Sequence, residues 1–344
     1  MLRANGKGAR RVIKEMNVFI ATLIADGLSA GQLSEAADRL AGVDCAPGAW
    51  HWLDHGKAAD LLFVSHPGAA RAALEGAFPA TDVIVQPQQG RSKKLLVADM
   101  DSTMITVECI DELADYAGIK SRIAEVTERA MKGELDFAEA LDARVALLEG
   151  LEESAIDRCL AERVKLMPGA KALVQTMRAR GSLTILVSGG FTRFAEPVGA
   201  EIGFDRVIAN RLEIGDARLT GKVAKPIVDS NTKEATLLGA LAELGLPAEA
   251  SMAVGDGAND LAMIRQAGLG VAYHAKPIVA AAAGARVDHN DLTALLYAQG
   301  IPRGSGLAAD GLSAAGAGSR TNARFLPTAR ALRRVPSLRS RPAA

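Results

Sequence analysis

The sequence predicts an α/β protein: a Rossmann-like, mostly parallel sheet with an inserted helical cap, preceded by a smaller α+β module. Three observations lead there. From Lys94 onward, apolar strand-like runs alternate with helical stretches, the pattern of a parallel sheet covered by helices on both faces. Ahead of it, residues 16–90 carry their strands and helices in the order βαββαβ, the split-βαβ arrangement. Between the first two strong strands of the larger region, about 105–166, the periodicity is helical throughout.

Taken in order, residues 16–26 (MNVFIATLIAD) are rich in β-branched residues and read as a buried strand. Leu33, Ala36, Ala37 and Leu40 then recur at helical spacing. A weak strand near Trp50–Leu53 and clear ones at Asp60–Ser65 and Asp82–Gln86 accompany an Ala-rich helix over Gly68–Ala77. QPQQGRSKK, residues 86–94, is polar, contains Pro and Gly, and serves as a linker. The larger region has its strongest strands at Leu95–Ala98, Leu183–Val187 and Met252–Val254, ending at Asp99, Ser188 and Asp256. Ligands of such sheets bind outside the carboxyl ends of the strands, so three separate stretches deliver polar groups to one edge. The cap has four helices: one with Ile110, Leu113, Ala114 and Ala117, and one with Ile123, Val126, Thr127, Ala130 and Met131. The third opens on the capping-box pair Asp136 and Glu139 and the fourth carries Ile156, Leu160 and Val164. Placed directly after the first strand, such an insertion suits a lid.

The chain has 344 residues, enough for two domains at roughly 150 each, and 49% of it is hydrophobic. Forty Lys+Arg balance 40 Asp+Glu, which argues against a broadly basic nucleic-acid binder. No apolar stretch reaches the ~18 residues of a membrane span, and the basic first 15 residues lack a signal-peptide core. Cys45, Cys109 and Cys159 have no metal-type spacing and read as free thiols of a reducing, cytoplasmic compartment. The neutrality is a sum over unlike parts. Residues 1–14 carry +5, residues 301–344 carry +7 from eight Arg against Asp310, and residues 15–300 carry −12. The Arg/Ala/Gly-rich tail cannot easily build a core and reads as disordered. It fits either a basic tail for acidic surfaces or a GC-rich frame read out of register, the second being the simpler.

Asp99-Met100-Asp101-Ser102-Thr103 leaves a strand with two carboxylates that can face one reaction centre, although such a pair alone also fits a turn with capping Asp residues. Ser188-Gly189-Gly190 offers a hydroxyl and backbone N–H groups, either an anion seat or an ordinary Gly-rich turn. Gly255-Asp256-Gly257-Ala258-Asn259-Asp260 follows a third strand. Asp99, Asp101 and Asp256, converging from two strands, repel one another and call for a cation; an oxygen-only set suits Mg2+. Lys233, on a helix opening near Asn231-Thr232, can offset phosphate charge or be one more solvated lysine. Five scattered His support no Ser-His-Asp or Cys-His constellation.

These four elements, in this order, resemble the haloacid dehalogenase superfamily of phosphatases, and within it the phosphoserine phosphatases, over about Lys94 to Gly300. The resemblance implies that Asp99 is a nucleophile forming an aspartyl-phosphate and Asp101 the general acid and base. It implies Mg2+ on Asp99, Asp256 and the carbonyl of Asp101, and phosphoryl oxygens held by Ser188, Gly189, Lys233 and Asn259. Asp260 would position Lys233 or metal-bound water, with Gly190 in support. In the cap, Phe137, Leu141, Arg144 and Leu148 share one face, which leaves Arg144 either snorkelling or aimed inward. The resemblance implies that Arg144 takes a substrate carboxylate, Glu108 an ammonium, and that Met131 and Phe137 wall the site. O-phospho-L-serine, as the last intermediate of serine biosynthesis, presents those three charged groups. Alternatives are phosphoryl transfer to homoserine or hydrolysis of another small phosphomonoester, and an amino acid-binding regulatory protein built on the N-terminal module. That module resembles an ACT-type domain, which implies effector binding or homodimer formation. A cation pump using an aspartyl-phosphate is argued against by Asp101 and by the missing membrane domain.

Overall fold

The computed structural model describes residues 18–302 and 304. The basic start at 1–14, the opening of the first expected strand at 16–17 and the Arg-rich stretch from 305 lie outside the described residues. No helix among the described residues is long and apolar enough to cross a membrane.

The N-terminal part has β1 (Phe19–Ile24), β2 (Pro47–Asp54), β3 (Ala58–Phe63) and β4 (Asp82–Pro87), with helices Ala30–Ala41 and Pro67–Leu74 between them. The strands form an antiparallel sheet in the order β2-β3-β1-β4, as the βαββαβ pattern expects. The first helix is set by a capping box in which Ser29 and Gln32 satisfy each other's backbone N–H groups. It buries Leu33, Ala36 and Leu40 against the sheet, in a cluster with Leu23, Leu61 and Val83.

The opposite face of this sheet lies against the larger domain. Ile24, Ala58 and Ile84 belong to the same apolar cluster as Leu96, Leu295 and Ala298. Polar contacts fix the docking. Asp60, fully buried, takes Arg91 Nη1 at 2.5 Å and Thr22 Oγ1 at 2.7 Å. Asp82 accepts the backbone N–H groups of Asp288, His289 and Asn290, and Gln86 donates to Ala298 O at 2.6 Å. The expected linker is thus a structured bridge. Its Arg91 also donates to the carbonyls of Tyr297 and Ala298, and buried Lys93 to those of Gly90 and Glu249.

The larger sheet is parallel, in the order β12-β11-β10-β5-β6-β7. Its strands are β5 (Leu95–Ala98), β6 (Leu183–Phe191), β7 (Arg206–Asn210), β10 (Ser251–Gly255), β11 (Leu269–Tyr273) and β12 (Ala285–Val287). Pattern alone finds three of these six; β12 has three residues and β11 carries Gly270 within it, so neither offers a strong apolar run. Every residue of β5 and β10 is buried, as in a sheet covered on both faces. Leu96, Leu186 and Val254 enter one core and Leu95, Val97, Ile185 and Ala253 the other, the period-2 alternation of a strand. From β5 the chain winds to β6 and β7 on one side and to β10, β11 and β12 on the other. The topological switch point, where open α/β sheets hold their ligands, therefore falls between β5 and β10.

The cap comprises helices Cys109–Tyr116, Lys120–Met131, Phe137–Ala146 and Ser154–Arg163. The expected capping box at Asp136 and Glu139 opens the third. Its two crossings are tied together by an antiparallel bridge between Ile105 and Leu166. A hairpin absent from the sequence reading, β8 (Leu212–Gly215) and β9 (Arg218–Val223), pairs with the cap at Glu152. Its turn, Asp216 and Ala217, takes positive φ at both residues, the twist a two-residue hairpin requires.

Removing one partner of the buried Asp60–Arg91 pair leaves a charge stranded between the domains. Arg91→Ala is expected to lower unfolding free energy by about 3–5 kcal/mol. Arg39→Ala, which breaks the exposed Arg39–Glu35 pair, is expected to cost under about 1 kcal/mol, both read by urea denaturation.

Candidate active site

The site is built where β5 and β10 end. After Ala98 the chain leaves the sheet and winds around one carbonyl: Met100 O accepts the N–H groups of Thr103, Met104 and Ile105. Ser102, inside this turn, adopts left-handed backbone with φ of 54°. Asp99 and Asp101 are thereby swung to the same side. Asp101 Oδ1 accepts the N–H of Cys109 at 3.2 Å, the first residue of helix Cys109–Tyr116, where the helix terminus favours a negative charge. Thr103, fully buried, donates to Asp256 Oδ1 at 2.9 Å, so the first motif grips the third directly.

Lys233 stands at the centre. It lies on helix Ser230–Leu244, capped by Asp229, which starts one residue earlier than the expected Asn231. Its side chain is fully buried, with Nζ 2.6 Å from Asp99 Oδ1 and 2.7 Å from Asp260 Oδ1. Asp260 Oδ2 in turn accepts the N–H groups of Asp256 and Gly257 at 3.1 and 3.0 Å. Gly255 makes this possible: a Cβ there would sit 2.3 Å from the Asp260 carboxyl carbon. The SGG element closes in from β6. Ser188 Oγ accepts the N–H of Gly190 at 2.8 Å, and a Cβ on Gly190 would stand 2.8 Å from Asp101 Oδ2.

Asp99, Asp256 and Asp260 present carboxylate oxygens all within 4.8 Å of one another. The sequence expectation grouped Asp99 and Asp256 with Asp101 rather than Asp260. The Asp101 carboxylate faces Cys109 and Gly190, away from this cluster of oxygens. Both oxygens of Asp260 are engaged by Lys233 and backbone N–H groups, whereas Asp99 and Asp256 each use Oδ1, for Lys233 and Thr103, and leave Oδ2 for a cation. Oxygen donors in net negative surroundings fit a hard divalent ion.

The electrostatics agree. Burial pushes the Asp99 carboxyl up, Asp260 adds to it, and Lys233 pulls it back. Burial carries Asp256 up to about 6 against the hydrogen bond from Thr103. Asp101 is pushed up to about 7, by burial first and then by Glu108, against the opposing hydrogen bonds from Cys109. For Lys233, burial would lower the ammonium, and the two carboxylates beside it more than reverse that. The cation is thus held charged in the core.

The cap residues are placed less uniformly. Phe137 lies over the SGG strand, its Cζ 3.2 Å from where a Cβ on Gly189 would stand. Glu108 is exposed and accepts from Ser102 Oγ at 2.7 Å. Arg144 is half-buried, its Nε donates to Ala140 O at 3.2 Å, and the carboxylates of Asp111 and Glu108 act on it. It shares with Phe137 the wall of a hollow of about 280 Å3 in the cap. A larger hollow, about 470 Å3, is rimmed by Glu152, Asp157, Arg193 and Arg218 and includes none of the site residues. Asn259 packs against Gly257. The side chain of Met131 lies outside the described residues. Thr103 and Asn210, both buried within this constellation, received no role from the sequence. Thr103 sits inside the quoted motif and could have been singled out as the hydroxyl next to the paired carboxylates.

A family profile described as haloacid dehalogenase-like hydrolase matches residues 96–265. Phosphoserine phosphatase SerB2 of Mycobacterium tuberculosis is 46% identical over 220 residues, covering 64% of this chain and 54% of that protein. The chain therefore matches about half the length of that curated relative. The unliganded structure of a probable phosphoserine phosphatase from Vibrio cholerae is 34% identical, with a TM-score of 0.66, covering 83% of this chain and 89% of that one. A phospho-aspartyl intermediate analogue of phosphoserine phosphatase is 35% identical, with a TM-score of 0.56, covering 60% of this chain and 98% of that one. The chain belongs to the haloacid dehalogenase-like hydrolases.

A divalent cation held at the Asp99, Asp256 and Asp260 cluster is expected to stabilise the folded chain by mass action. At a hundred times its Kd it adds about 2.7 kcal/mol, read as a rise in Tm. Asp256→Asn is expected to abolish the rise, whereas an undiminished rise would place the cation elsewhere.

Proposed function

We propose that this hydrolase is a phosphoserine phosphatase, which hydrolyses O-phospho-L-serine to L-serine and phosphate as the last step of serine biosynthesis. The observation that carries the reading is the pairing of Asp99 with buried Lys233 beside a second carboxylate, Asp101, that rests instead on the first N–H of a cap helix. It is supported by the names of the relatives in Mycobacterium tuberculosis and Vibrio cholerae.

Asp99 is the nucleophile. One of its oxygens attacks phosphorus in line with the serine oxygen; the new O–P bond forms as the ester O–P bond breaks. Asp101, protonated near neutral pH because burial and Glu108 raise its carboxyl to about 7, gives its proton to the departing serine oxygen. As carboxylate it then takes a proton from the water that attacks the aspartyl-phosphate, which releases phosphate and restores Asp99. Lys233, Ser188 and the Gly189 N–H hold the phosphoryl oxygens, with Gly190 supporting Ser188 and Asn259 at the rim. Magnesium held by Asp99 and Asp256 supplies the positive charge that lets a carboxylate approach a phosphate dianion. Asp260 keeps Lys233 aimed at Asp99.

In the cap, Arg144 donates to the substrate carboxylate and Glu108 accepts from the ammonium, while Phe137 shields the reaction from water. Domain roles divide accordingly. Residues 16–90 are an effector-binding or dimerising module, residues 91–300 the phosphatase, and about 105–166 its lid. Of the module's edge strands, β4 lies against β12, which leaves β2 with its partly exposed Trp50 and Trp52.

With L-phosphoserine, D-phosphoserine, phosphothreonine and phosphoglycolate compared in Mg2+, L-phosphoserine is expected to have the highest kcat/KM. Asp99→Asn is expected to abolish turnover, and Asp101→Asn to lower kcat by about 10²–10⁴-fold. Arg144→Ala is expected to raise KM for L-phosphoserine far more than for phosphate esters lacking a carboxylate. Full activity in Asp99→Asn, or preferential transfer to added homoserine, would overturn the reading.

A further inference from the structure

Asn210 is the last residue of β7 and only 2% exposed. The ladder between β6 and β7 runs to Ser188 and Ala209, then skips to Phe191 and Asn210. Gly189 and Gly190 are thus pushed out of register, and the Gly189 carbonyl loses its strand partner. The Asn210 side chain replaces that partner, donating from Nδ2 to Gly189 O at 2.8 Å. The same carboxamide pairs with one residue of a distant segment: Oδ1 accepts Val228 N–H at 2.7 Å and Nδ2 reaches Val228 O at 3.3 Å. Val228 directly precedes Asp229, the N-cap of the helix that carries Lys233.

We propose that Asn210 is a positioning residue for the phosphoryl group: its carboxamide sets the distance between the Gly189 strand end and the Lys233 helix. This rests on the reading above that both hold phosphoryl oxygens. The route of the chain explains why a side chain is needed. Between Asn210 and Val228 the backbone makes a long excursion through hairpin β8–β9. That hairpin is stitched to the cap by Glu153 N–H to Ala217 O, Gly150 N–H to Leu219 O and Leu219 N–H to Leu151 O. Without a tie at the neck, displacement of the cap would pass through the hairpin to the Lys233 helix. Asn210 closes that neck beside the phosphate seat. Only a carboxamide of this length offers both a donor for two carbonyls and an acceptor for one N–H. A carboxylate in its place keeps the acceptor and turns both donor contacts into repulsions.

The test uses the full chain in saturating Mg2+ with p-nitrophenyl phosphate as substrate, and orthophosphate and L-serine as separate inhibitors. The variants are Asn210→Asp and Asn210→Ser. A control, Thr184→Val, removes the hydrogen bond from an equally buried side chain to the more exposed Asp205 at the far end of β6. Misplacement of a binding group by an ångström costs up to about 10²-fold, so kcat/KM is expected to fall about 10–100-fold in both Asn210 variants. Orthophosphate inhibition should weaken in step, while L-serine inhibition and the activity of Thr184→Val stay as in the wild type. Wild-type turnover in the Asn210 variants overturns the proposal, as does equal weakening of L-serine and orthophosphate. So does a loss matched by Thr184→Val, or failure of both Asn210 variants to fold, since either marks a structural role. A wild type that cleaves p-nitrophenyl phosphate but not phosphoserine defeats the substrate reading alone.

Discussion

One buried ammonium organises the site. Lys233 has no access to water, and moving such a group into a core costs several kcal/mol unless it is paired. It is paired twice, with Asp99 and Asp260, and that requirement fixes much else. Asp260 must reach inward, so Gly255 can carry no side chain and the Asp256 and Gly257 N–H groups are recruited to its second oxygen. Asp99 must stand at the end of β5, and helix Ser230–Leu244 must pack with its first turn toward the sheet. Two strand ends and one helix are therefore locked by a single cation, at the crevice where the strand order reverses.

The same arrangement leaves the site short of positive charge. Asp99, Asp101, Asp256 and Asp260 face one ammonium, and burial drives the Asp101 and Asp256 carboxyls upward as a result. A divalent ion held by Asp99 and Asp256 would offset the excess. Asp101 is set apart from the others by its environment: it rests on the start of a cap helix and faces Glu108, and so is suited to exchange a proton. Two aspartates two residues apart thus differ in surroundings, since one meets a lysine and the other a helix terminus.

The legible part of the protein is what lies contiguous in sequence. DMDST and GDGAND announce themselves because each follows an apolar strand and delivers several polar groups within six residues. The βαββαβ order was readable because every strand in it has apolar residues at strand spacing. Lys233 was not distinctive by itself, since a lysine on a helix is ordinarily solvated; only its partners 27 residues or more away make it central. Asp60 read as the first residue of a strand, and nothing local said that it would be buried on Arg91 at the domain junction. Asn210 escaped for the same reason: its importance lies in a ladder defect at Gly189 and in Val228 beyond a hairpin. The hairpin itself was hidden because its turn, Asp216-Ala217, has only one of the residues favoured at positive φ.

In the proposed reaction Asp99, held by Lys233, attacks phosphorus. Rapid quenching of the full chain with L-phosphoserine and Mg2+, followed by peptide mass spectrometry, locates the phosphoryl group during turnover. An Asp99 nucleophile requires an adduct on that residue that disappears in Lys233→Met. An adduct on Ser102, Ser188 or Thr103, or one undiminished in Lys233→Met, would contradict it.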